Sequence, residues 1–173
     1  MGFRGILIAA AVAVSALPTA AVAAPVAAPT PAQGKALVLI PLTLTKIQDL
    51  DFGTVVTSPV SGIVTINPAT GARSFAGGVT GVPSDAGHRA QFAGAGTPSQ
   101  QVIVFITPPA TLDNGAGDSL PVLALTLDNG GNPIRTIDAT RAFFVGVGGI
   151  LQVNADQAEG TYTGNFTVTA NYL

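Results

Sequence analysis

The chain has 173 residues, of which 9% are charged, with a formal net charge of -2 at pH 7 and no cysteine. That balance excludes a field strong enough to capture nucleic acid or an anionic membrane, and the missing thiols exclude a disulfide framework, a thiolate metal site and the attachment point of a bacterial lipid anchor. Burial must supply the stability, in a sequence whose Thr, Val, Gly and Pro residues suit short strands and tight turns and leave little room for helix.

Residues 1–23 have the three parts of a secretory signal peptide: a positive charge at Arg4, an apolar run from Ile6 to Leu17, and small residues ending in Ala21-Val22-Ala23. The run is roughly a dozen residues, short of the 18 or so that a spanning helix needs, and none follows it, so no membrane span is expected in the mature chain. Loss of Arg4 takes the formal charge from -2 to about -3 and leaves about 150 residues, enough for one domain. The expected route is export, with the periplasm in transit and then the cell surface or an extracellular location.

Residues 24–34 carry Pro25, Pro29 and Pro31, which fix φ and remove donors, and read as an extended N-terminal extension. The domain is expected over 35–173. Its first run, Ala36 to Ile47, places Val38, Ile40, Leu42 and Leu44 on one parity, with Pro41 limiting it to an edge or a strand that changes partner. Leu50 to Val56 and Gly62 to Pro68 read as short strands around a Ser58-Pro59 turn, followed by a glycine-rich connection up to Gly87. Arg89 to Ala93 and Gln101 to Thr107 come next, the latter apolar enough for the middle of a sheet.

Leu120 to Leu127 alternates between two Asp-Asn-Gly turn signals, and the cluster Gly146-Val147-Gly148-Gly149 reads as a turn or bulge before Ile150 to Ala155. Thr161 to Leu173 closes the chain. About nine strands at this spacing fit a two-sheet sandwich, with a barrel matching the pattern equally.

The closing segment is the most informative. Tyr162, Gly164, Phe166, Val168, Ala170 and Tyr172 occupy one parity and Thr161, Thr163, Asn165, Thr167 and Thr169 the other, so one face is expected to be buried and the other wet. With Gly160 fourteen places from the C-terminus and Tyr172 penultimate, the segment resembles the last strand of chaperone–usher pilin subunits. The chain is also similar to a family of small secreted proteobacterial proteins of uncharacterised function, through Leu50-Asp51-Phe52-Gly53, Gly62-Ile63-Val64-Thr65-Ile66, Val147-Gly148-Gly149 and Gly160-Thr161-Tyr162-Thr163-Gly164.

The pilin resemblance implies an immunoglobulin-like two-sheet β-sandwich lacking one strand, with an open apolar groove beside its last strand. It implies a structural subunit of a pilus or fimbria-like fibre, assembled by donor-strand exchange with copies of itself through a periplasmic chaperone and an outer-membrane usher. On that reading Gly160, Tyr162, Gly164, Phe166, Val168, Ala170 and Tyr172 form the groove strand, and Val38, Ile40, Leu42 and Leu44 are the candidate donor. The competing expectation is a self-contained secreted sandwich that binds glycans or cell-surface components, distinguished by whether the first apolar strand pairs within its own domain.

Catalysis has little to draw on. The only histidine is His88, in a Gly-rich loop, the lysines are Lys35 and Lys46, and most of the acids sit in or beside turns, with Asp49 and Asp51 preceding a strand. Asp113 to Asp118 lacks the twelve-residue spacing and closing Glu of a calcium loop and reads as a turn. No cofactor and no metal are expected.

Overall fold

A computed structural model describes residues 30, 31 and 33–173. The segment expected to be a signal peptide and most of the expected extension lie outside them. The chain divides into two units, Met1–Ala36 and Leu37–Leu173. In the first, the described residues are exposed and carry no strand. The second is an all-β sandwich.

Its strands are β1 (Thr43–Gln48), β2 (Val55–Val56), β3 (Gly62–Ile66), β4 (Arg73–Gly77), β5 (Thr80–Gly81), β6 (Ala90–Ala95), β7 (Gln101–Thr107), β8 (Thr111–Asp113), β9 (Ser119–Leu127), β10 (Ile134–Thr136), β11 (Ala142–Val153) and β12 (Thr167–Tyr172). One sheet runs β1-β6-β11-β3-β4, with β9 also on β11 and β8 on β9; a second runs β10-β7-β12, and β2 pairs with β5. All pairings are antiparallel.

Alternation explains the layering. In β7 Val102 and Val104 point inward and are buried, facing Ala90 and Phe92 of β6 and Phe143, Val145 and Val147 of β11 across the main core. A second cluster under the other end joins Val64, Val79, Leu120, Leu151 and Val153. Arg135 is the one buried charged side chain among the described residues, and its guanidinium is 2.5 Å from an Asp128 carboxylate oxygen and also bonds carbonyls of Asn132, Ile134 and Phe144. A buried cation needs that full set of acceptors, and here they tie the β9–β10 connection to β11.

Two expectations are corrected. The glycine-rich stretch before Gly87 contains β4 and β5, because Arg73 to Gly77 pairs residue for residue with β3. The cluster Gly146-Val147-Gly148-Gly149 is the middle of β11, the longest strand. Glycine is needed there for room: a Cβ on Gly148 would collide with the Ile66 carbonyl and Pro68, and one on Gly149 with Leu125.

Candidate functional site

The closing strand is an edge. Among the described residues β12 pairs with β7 alone, in the register Thr167↔Thr107 to Tyr172↔Val102 without a bulge. The Leu173 amide donates to the Gln101 carbonyl at 3.0 Å, which marks Leu173/Gln101 as a hydrogen-bonded pair. Antiparallel pairs alternate, so Asn171, Thr169 and Thr167 also bond to β7, while the amides and carbonyls of Val168, Ala170 and Tyr172 point to the open side. These three residues, with Phe166, are also the inward-facing ones, and all four are only half-buried. The expected alternation is present from Phe166 to Tyr172 but breaks at Gly164, where Thr163, Gly164 and Asn165 are all exposed; Tyr162 and Gly164 precede the strand, in a loop, and Gly160 is exposed too.

The first strand lies at the corresponding edge of the larger sheet. Among the described residues β1 pairs only with β6, and Leu42 and Leu44 pack on the same core cluster as Phe166, Val168, Ala170 and Tyr172. The four residues expected on one donor face therefore divide: Leu42 and Leu44 are seated in their own domain, Ile40 is 41% exposed, and Val38 is 88% exposed beside Leu37 at 69%. Pro41 separates the two pairs, and among the described residues no strand lies upstream of it.

At one end the edges are joined by Tyr172. Its hydroxyl accepts from the Thr97 amide at 2.8 Å and donates to the Ile40 carbonyl at 2.9 Å, while the Ile40 amide donates to Thr97 Oγ1 at 3.0 Å. Toward the other end the space between the first and last segments widens into a cavity of about 810 Å³. Phe52 and Val55 line it from the N-terminal side, Tyr162 and Phe166 from the C-terminal side, and Leu112 and Leu120 from β8 and β9. Tyr162 is held by donating to the Ala158 carbonyl at 2.7 Å and accepting from the Gln157 amide group at 2.9 Å. Phe166 meets Phe92 edge to face, with centroids 6.2 Å apart.

The polar groups around the cavity serve the loops. Arg73 donates to the carbonyls of Phe52, Thr54 and Val82. Asp85 accepts from the Thr54 hydroxyl at 2.6 Å, and that bond holds its carboxyl below the ordinary value of 3.8. His88 Nδ1 donates to the Asp49 carbonyl at 3.0 Å, and Asp51 accepts from the Gly53 amide at 2.7 Å. Asn114 caps the Asp113–Asp118 loop by accepting from the amides of Ala116 and Asp118. Among the described residues no three His, Asp or Glu side chains are grouped to hold a metal, and no helix is long and apolar enough to cross a membrane.

Phe52, Val55, Leu112 and Leu120 were missed as groove residues by sequence reasoning. The Leu50-Asp51-Phe52-Gly53 motif was visible, but it reads as strand; in the structure Gly53 takes φ +68 and the segment bridges to His88 only at Asp51. A family model described as Domain of unknown function (DUF4402) matches residues 42–172, from the first core-seated leucine to the Tyr172 clasp. No curated protein and no solved structure matches the chain.

Proposed function

The chain belongs to the family described as Domain of unknown function (DUF4402), and we propose that it is a strand-accepting structural subunit of a pilus or fimbria-like surface fibre. The observation that carries this reading is the β12 edge. It is six residues long, regular and uncharged, the residues whose backbone groups are open are those whose side chains turn inward, and that inward face is half-buried near a cavity lined in part by Phe52, Val55, Leu112, Leu120 and Phe166. An edge of this kind is a template for another strand.

The strand is supplied by a second copy. Leu42 and Leu44 are seated in their own core, which favours a donor drawn from the residues upstream, ending in the exposed Leu37 and Val38. Between Ala24 and Leu39 the chain can reach roughly 50 Å when extended, enough to enter a neighbour. Export, a periplasmic chaperone that covers the edge before assembly, and an outer-membrane usher complete the proposal. Assembly itself is backbone hydrogen bonding and apolar burial, with no reaction.

One observation favours the alternative, a self-contained module that binds glycans or cell-surface components: the first strand does pair within its own domain, through β1 and β6. The cavity is then a ligand site. Purified mature chain separates the two when examined by size-exclusion chromatography and electron microscopy, with and without Leu37→Asp plus Val38→Asp. Both positions are exposed, so the charges leave the fold intact. Linear assemblies lost in the double variant support the fibre; monomers in both proteins refute it.

A further inference from the structure

We infer that Lys46 closes the β1 edge to strand addition, so that of the two edges flanking the groove only β12 accepts a strand from another copy and the contact there has a direction. β1 is the other open edge flanking the groove. The Gly96 amide donates to the Arg141 carbonyl, which assigns Gly94 and Phe92 of β6 to β11 and leaves Ala95 and Ala93 to bond Thr43 and Thr45. The open backbone groups of β1 therefore belong to Leu44 and Lys46.

Leu44 opposes Gly94 and Lys46 opposes Phe92, both on the face turned toward the core. An apolar residue at 46 would continue the inward row begun by Leu42 and Leu44. Lysine instead places an ammonium there, 2.6 Å from an Asp49 carboxylate oxygen and still half-exposed. A strand docking on this edge would have to strip water from that ammonium. The ladder also shifts register between Lys46 and Gln48, so the edge loses its regularity where the charge sits.

Inward charge and a bulge are two of the devices that guard an edge, and β1 carries both. β12 carries neither. The Lys46–Asp49 pair is exposed and contributes little to the fold, so the lysine's consequence lies in what can dock. One guarded and one unguarded edge at the groove prevent a symmetric β1-to-β1 contact there and leave a head-to-tail contact, the kind that propagates.

This inference rests on the fibre reading only for the use of β12. The test uses the mature chain carrying Leu37→Asp and Val38→Asp, which removes the tail as donor, and adds Lys46→Leu, Lys46→Gln or Lys46→Arg. Sedimentation is expected to show the Lys46→Leu and Lys46→Gln proteins self-associating, with roughly tenfold tighter dimerisation than the parent and new hydrogen-exchange protection at the amides of Leu44 and residue 46; Lys46→Arg stays like the parent. Should Lys46→Leu fail to fold, Lys46→Gln removes the charge alone and carries the same expectation. Leu and Gln variants that sediment like the parent overturn the guard. A parent that still polymerises contradicts the tail as donor, while the guard is judged from the difference between variants.

Discussion

The hydroxyl of Tyr172 donates to the carbonyl of Ile40 at 2.9 Å and bridges 132 positions of sequence, joining the last strand to the segment that leads into the first. The same oxygen accepts from the part-buried Thr97 amide, which has no other partner among the described residues. Tyr172→Phe keeps the ring and removes both bonds, leaving that amide unsatisfied. Unfolding in urea is expected to show a loss of about 1–3 kcal/mol, seen as a lower midpoint with unchanged slope. An unchanged midpoint means that the clasp is not formed in solution.

Gly148 is tested by adding one methyl group. Its Cβ would fall on the Ile66 carbonyl and on Pro68, backbone and ring that cannot swing aside. Gly148→Ala is expected to cost about 1–3 kcal/mol, or to prevent folding. At Gly34 a Cβ meets nothing within 4 Å, so Gly34→Ala is the control and should unfold like the parent.

Two carboxylates contribute to the acid side of the stability curve. Asp85 is held below 3.8 chiefly by the Thr54 hydroxyl, and Asp138 below 3.8 chiefly by the Thr140 hydroxyl, with the Ala142 amide next. A carboxyl whose pKa is depressed in the folded state stabilises the fold above its unfolded value, and that contribution disappears as the pH falls from about 3.8 through the folded value. Carboxyl carbon shifts followed by NMR should give both groups midpoints below 3.8, and Thr54→Val should raise that of Asp85 while leaving Asp138 where it was. Equal behaviour of Asp85 in the two proteins would contradict the assigned cause.

How much of this was legible in the sequence depended on whether the signal was local. Gln101 to Thr107 and the Thr/Val alternation of the last strand could be read directly, because period-2 patterning survives where one side faces a core. The part of β11 before Ile150 could not. Gly146, Gly148 and Gly149 imitate a turn, and only the crowding of Ile66, Pro68 and Leu125 around them explains glycine in a strand. The cavity was hidden for a different reason. Tyr162 and Phe166 were visible as an apolar parity, but Leu112, Leu120 and Phe52 reach them through long-range pairing, which no window of sequence contains.

The most direct measurement is amide hydrogen exchange along β12 in the mature chain, alone and then with a peptide of residues 24–40. Alone, Thr167, Thr169 and Asn171 should be protected by β7 while Val168, Ala170 and Tyr172 exchange quickly. With the peptide, the second set should slow and the first should hardly change. Protection of Val168, Ala170 and Tyr172 already present without peptide, or no slowing after its addition, would contradict an edge kept open for a second copy.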